Sequence, residues 1–110
     1  LHFRERFADQ LGRVRREGGE VALFCLDLDR FKTVNDTLGH PVGDELLRQV
    51  AERMRRLISP ADTLARLGGD EFALMQVASV QPAGARSLAE RIVEAVAQPF
   101  HIDGYEINIG

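Results

Sequence analysis

A single cysteine, Cys25, among 110 residues excludes a disulfide framework. It lies in the apolar run "VALFCL", where a buried, reduced thiol is expected. Cationic excess is also missing. With 14 Lys and Arg against 17 Asp and Glu, the net charge is -3. That excludes a general nucleic-acid surface or a direct contact with an anionic membrane, because both depend on clustered Lys and Arg. Any phosphate site must therefore be local, built from a metal ion and a few placed cations. No apolar stretch is long enough to span a bilayer, and no signal peptide is visible. Repeats, linkers and low-complexity segments are missing too. The chain opens on Leu1 rather than Met and stops on "EINIG", inside a strand-like alternation, so it reads as a piece of something longer. What remains is 45% hydrophobic and 28% charged, the balance of one soluble globular domain large enough to bury a core.

Phe3, Phe7, Leu11 and Val14 recur at helical spacing until Gly18 and Gly19 stop the pattern. "EVALFCLDLD" follows without polar alternation, which suits a strand covered on both faces and ending in Asp27 and Asp29. "RFKTVNDTLGH" reads as a short helix closed by Gly39. Between Gly43 and Ile58, Leu46, Leu47, Val50, Ala51, Met54 and Leu57 form an amphipathic stripe. "SPAD" breaks it; "TLARL", "GGDE" and "FALMQV" then read as strand, turn, strand. Helical spacing returns from 85 to 97 and ends at Pro99, and two short strands flank Asp103-Gly104. Helices with an antiparallel hairpin around a first strand predict an α+β fold.

Two acidic corners stand out. Asp27 and Asp29 lie where the first strand runs out, a place that fixes a carboxylate while leaving it accessible, although Asp29 serves equally well as a helix N-cap. "ARLGGDEFALM" places Asp70 and Glu71 side by side after two glycines, which alone is compatible with a solvated hairpin tip. If the hairpin pairs beside the first strand, Asp70 and Glu71 come next to Asp27. Three or four carboxylates converging there, without a histidine or cysteine pattern, would suit Mg²⁺ or Mn²⁺ rather than zinc. Gly68 and Gly69, lacking Cβ atoms, would let a triphosphate approach the backbone. Between the corners, Lys32 is placed to reach a phosphate, though a lone helical lysine is usually solvated. Asn35 and Asp44 bracket "DTLGHPVG", a loop entering the long helix. A carboxylate and an amide can read guanine through its ring N–H and exocyclic amine; a helix-start acid and a turn residue are the plainer roles.

"DLDRFKTVNDTLGHPVGDELL" followed by "RLGGDEF" resembles the GGDEF family of diguanylate cyclases, with Gly68-Gly69-Asp70-Glu71-Phe72 intact, and the resemblance covers essentially the whole chain. It implies a nucleotidyl cyclase/polymerase palm-like fold, with a central mainly antiparallel sheet flanked by helices. It implies that two GTP are condensed into cyclic di-GMP with release of pyrophosphate, with Mg²⁺ or Mn²⁺, by a homodimer in the cytoplasm or at its membrane face. Position by position, it makes Asp27, the backbone carbonyl of Leu28 and Asp70 metal ligands. Asp70 also activates the 3′-hydroxyl, and Glu71 is required beside it. Asn35 and Asp44 match the guanine readers and His40 lies in the same substrate loop. Lys32 and the backbone around Arg30 and Phe31 resemble the phosphate-contacting turn.

The chain departs from the family at "SPAD", where Ser59 stands in place of the arginine of an inhibitory product site, while Asp62 is kept. Ser cannot make bidentate phosphate or guanine contacts, so that form of feedback is expected to be absent. Against the family the segment spanning 1–110 is one domain, incomplete before Leu1 and lacking the last strand and helix after Gly110. Its ending is similar to versions joined to a phosphodiesterase (EAL) domain. A regulatory module that binds GTP and controls such a neighbour is the alternative to a cyclase. A phospho-acceptor receiver is excluded by the hairpin and by the lack of alternating βα order.

Overall fold

The computed structural model describes residues 2–77 and 83–109. Its elements are α1 (His2–Glu17), β1 (Ala22–Asp27), α2 (Phe31–Leu38), α3 (His40–Arg55), β2 (Thr63–Gly68), β3 (Glu71–Gln76), α4 (Ala83–Ala97), β4 (Phe100–Ile102) and β5 (Tyr105–Ile107), in the order the sequence predicts. Leu1, Gly110 and the side chain of Phe3, all used in the sequence reading, lie outside the described residues.

The hairpin pairs beside the first strand. β3 is central in a three-stranded antiparallel sheet of order β1-β3-β2, with Asp27 opposite Glu71 and Cys25 opposite Ala73. β4 and β5 form a separate antiparallel ribbon. One face of β3, through Phe72 and Leu74, packs with Leu46, Val50 and Met54 of α3, Leu88 and Ile92 of α4, and Phe100 of the ribbon. This single core burial is the main favourable term holding the layers together. Where the sheet joins the helices, Arg53 of α3 donates to the carbonyls of Ala95, Gln98 and Pro99 and lies 3.5 Å over the Phe100 ring. A cation thus sits on the carbonyls at the end of α4, of which that of Ala95 also accepts the Gln98 N–H, where the helix dipole favours positive charge.

Four expectations are corrected. β1 is not covered on both faces: its residues alternate between half-buried and exposed, and Leu23 is 48% exposed. Cys25 is accordingly exposed, not buried. β1 is an edge strand and α1 lies over β2, where Arg6 donates to the Thr63 hydroxyl, so an apolar run does not guarantee a second covering layer. "DTLGHPVG" is not a loop. Only Gly39, at φ 94°, separates α2 from α3, and Pro41 sits in the first turn of α3, where a missing N–H costs nothing. Asp29 is not the N-cap of α2. Arg30 holds that position in a left-handed conformation, φ 65°, with no side-chain cap.

Candidate active site

The acidic corners meet through the backbone. β3 starts directly after the Gly69-Asp70 turn, so antiparallel pairing with β1 sets Glu71 across from Asp27. One residue further, the Leu28 N–H donates to the Asp70 carbonyl at 3.2 Å. The turn itself needs glycine: Gly69 sits at φ 47° and Gly68 at φ 154°, and a Cβ at either would meet open space, so backbone shape rather than crowding selects them. The register slips between Arg66 and Gly68, leaving Leu67 bulged and 55% exposed. Arg66 then folds back, its Nε donating to the Gly69 carbonyl at 2.9 Å.

Asp27, Asp29 and Glu71 are exposed and Asp70 is half-buried. They do not close into a preformed cage: among the described residues no group of three or more acidic, histidine or cysteine side chains is placed to hold a metal. The expected convergence of three or four carboxylates is therefore not what the fold builds. Asp27 and Glu71 are cross-strand partners, whereas Asp29 lies past the end of the strand, beside Arg30, where the chain turns into α2. That turn is strained. A non-glycine residue at positive φ costs of order 1 kcal/mol, and such outliers gather at functional sites. Phe31 is buried in the core, so its backbone is what remains for a ligand; Lys32 and His40 are exposed on the first turns of α2 and α3.

Asn35 of α2 and Asp44 of α3 lie on either side of the Gly39 corner, half-buried and exposed respectively. Asn35 accepts the Gly39 N–H on its backbone carbonyl at 3.0 Å, while its side-chain Oδ1 is buried without a hydrogen-bond partner, the one such atom among the described residues. Next to Asp44, Glu45 accepts from Nε and Nη2 along one edge of the Arg48 guanidinium, at 2.8 and 2.7 Å, and from Gln49 at 3.0 Å. Hydrogen bonds from Arg48 and then Gln49 lower the Glu45 carboxyl to about 2. That acid is engaged in the helix surface, which leaves Asp44 as the unengaged neighbour.

A cleft of about 290 Å³ lies between α3 and the hairpin, lined by Asp44, Leu47 and Ala51 of α3 and by Leu64, Arg66 and Phe72 of the hairpin. Of the predicted site and signature residues it includes Asp44 and Phe72. A smaller cavity of about 120 Å³, lined by Asp27, Leu28, Asp29 and the apolar face of α4, opens on the other side of the corner. Arg66 and Leu47 were not singled out from sequence. Leu47 is indistinguishable there from the core stripe, and Arg66 acts through a turn whose bulge has no sequence marker.

An antiparallel sheet backed by helices, with acidic residues at one end of two adjacent strands, is the architecture of nucleotidyl cyclase and polymerase palm domains. The chain belongs to the GGDEF family: residues 1–110 match the family described as diguanylate cyclase, GGDEF domain. It is 43% identical over 105 residues to the bifunctional diguanylate cyclase/cyclic di-GMP phosphodiesterase MucR of Pseudomonas aeruginosa, covering 96% of this chain and 15% of MucR. Its fold matches a sensory box/GGDEF family protein from Caulobacter crescentus with a TM-score of 0.90 at 43% identity, over 96% of this chain and 69% of that one. The GGDEF domain of DgcB from Caulobacter crescentus, crystallised with c-di-GMP, matches with a TM-score of 0.82 at 30% identity, over 98% of this chain and 63% of that one. Among the described residues no helix is long and apolar enough to cross a membrane.

Proposed function

We propose that this domain condenses two GTP molecules into cyclic di-GMP and releases pyrophosphate. One observation carries the reading: the intact Gly68–Phe72 turn is paired onto β1, with Asp70 bonded through its carbonyl to Leu28 and Glu71 opposite Asp27. Asp27, Asp70 and the Leu28 carbonyl form a hard-oxygen donor set with two carboxylates, which fits the sparse protein ligation of Mg²⁺ or Mn²⁺. When bound, such an ion would neutralise triphosphate charge and lower the pKa of a nearby hydroxyl.

The residues divide the remaining work. Asp44 accepts from the ring N–H and exocyclic amine of guanine, and Asn35 adds a contact from α2. Lys32, with the backbone at Arg30 and Phe31, faces the phosphates, while His40 lines the same end of the nucleotide. Gly68 and Gly69 let the triphosphate come close. Asp70 takes the proton as the 3′-oxygen of one GTP bonds to the α-phosphorus of the other; the α–β bridge breaks and pyrophosphate leaves with that electron pair. The reaction occurs twice to close the ring. Each domain holds one GTP, so two domains meet about a two-fold axis.

A second reading is supported by MucR, which combines cyclase and phosphodiesterase in one chain. In it this domain binds GTP and regulates an attached phosphodiesterase (EAL) domain without turnover. Retention of both Asp70 and Glu71 favours the cyclase. Incubating the full-length protein with GTP and Mg²⁺ in the cytoplasmic pH range, then separating nucleotides by chromatography, decides. Cyclic di-GMP with pyrophosphate is expected; bound but unconverted GTP would establish the regulatory reading instead.

A further inference from the structure

Gly43 lies in the first turns of α3 and is buried, yet nothing about its backbone calls for glycine: its φ is not positive. Glycine in a helix is a poorer choice than alanine unless something occupies the space of the Cβ. Here something does. A Cβ on Gly43 would stand 1.7 Å from Asn35 Oδ1 and 2.8 Å from Asn35 Cγ, both far inside contact distance. The carbonyl end of the Asn35 amide is thus seated directly on the backbone of α3. That explains why Oδ1 is buried without a partner: the seat excludes water and offers no N–H to it. The Gly43 N–H is itself taken, donating to the Gly39 carbonyl at 3.1 Å, and the Gly39 N–H donates to the Asn35 carbonyl at 3.0 Å. Two backbone bonds therefore lock the corner on which the amide rests. With Oδ1 walled off, the donor end of the amide, Nδ2, is the end left for a ligand.

We propose that Gly43 is the positioning residue of the nucleotide site. It fixes the Asn35 amide with its oxygen inward and its N–H groups toward the bound purine, where they meet a ring-nitrogen acceptor. This rests on the guanine-reading role proposed for Asn35 above. It separates the tasks of the pair: Asp44 identifies the base through donors that only guanine presents, whereas Asn35 adds affinity for any purine with an acceptor on that edge.

The test is titration calorimetry of the full-length protein with a GTP analogue whose α–β bridge cannot be cleaved, and with the corresponding ATP analogue. Gly43→Ala should weaken the GTP analogue about tenfold while leaving the GTP-over-ATP preference within about twofold, because the amide is displaced and Asp44 is not. Asn35→Ala should show the same loss. In the Asn35→Ala background, Gly43→Ala should cost less than about twofold, since the collision has gone. If Gly43→Ala does not fold, the doubly substituted protein still must, with the affinity of Asn35→Ala. Unchanged affinity in Gly43→Ala overturns the proposal, as does an equal further loss when Asn35 is already alanine. A wild-type protein that binds no GTP analogue overturns the nucleotide site itself, a result distinct from either.

Discussion

Asp70 illustrates what a single residue contributes here. Its carbonyl holds the hairpin to β1, while its carboxylate is free of any protein partner that the fold needs. Asp70→Asn preserves shape and backbone, so stability should change by less than about 0.5 kcal/mol. The loss of a hard anionic oxygen removes several kcal/mol of charge stabilisation in the reaction, and cyclic di-GMP synthesis should fall more than about a hundredfold. Thermal melting and product chromatography on the same preparation check both halves; synthesis at the wild-type rate would remove Asp70 from the mechanism. Asp44→Ala belongs to the same scale. It should reduce the preference for GTP over ATP by roughly tenfold to a hundredfold, the worth of a hydrogen-bonded charged group of about 1.5–3 kcal/mol. An unchanged preference would return Asp44 to the role of a helix-start acid. Asp62 is a different case. Its carboxylate accepts the N–H groups of Ser59 and Val77 at 3.0 and 2.9 Å, and its own N–H donates to the Ser59 carbonyl. The acid kept from the inhibitory motif is thus occupied in locking the turn before β2, and Ser59 supplies no cation. Calorimetry with cyclic di-GMP should show no tight binding that depends on Asp62. Tight binding abolished by Asp62→Asn would prove a feedback site despite Ser59.

At the scale of elements, the period of the apolar residues was enough to place α1 and α3, and the turns at Gly68-Gly69 and Asp103-Gly104 placed the β2–β3 hairpin and the β4–β5 ribbon. The hairpin then carried the acids to Asp27 by register alone. Periodicity could not tell how many layers cover a strand, so Cys25 was misplaced. It also could not see that Gly39, followed by Pro41, makes a corner rather than a loop, since the same residues serve both. The seat of Asn35 on Gly43 was invisible for a further reason: it is a contact between two helices, and neither residue type announces it. Arg53 is similar. In sequence it is one more charge opposite the α3 stripe, but in the fold it gathers three carbonyls at the end of α4 and covers Phe100. Arg53→Ala should destabilise the domain by about 1–3 kcal/mol by removing the side-chain donors to the Gln98 and Pro99 carbonyls and the cover of Phe100. Arg53→Lys should recover only part of this, because a point charge cannot fork. Denaturant titration of the two variants against wild type measures it, and an unaltered midpoint in Arg53→Ala would show that the clasp contributes nothing.

On the scale of the molecule, the extents of 50 × 27 × 19 Å leave no interior in which two nucleotides could be enclosed. The cleft between α3 and the hairpin is open, and Asp27 and Glu71 are exposed. Charged groups in water are screened, and phosphoryl transfer gains most where solvent is excluded. In the proposed mechanism a single domain supplies half of the surroundings the reaction needs, and a second copy facing it would supply both the other nucleotide and the cover. If that encounter is bimolecular, as proposed, turnover per mole of protein follows mass action. In the dilute regime a tenfold dilution should lower specific activity about tenfold, and the activity should level off as the dimer becomes the main species. Sedimentation at the same concentrations identifies which species is present. A protein that sediments as a monomer and yet keeps a constant specific activity on dilution would show that one domain completes the reaction, and the two-fold arrangement would have to be abandoned.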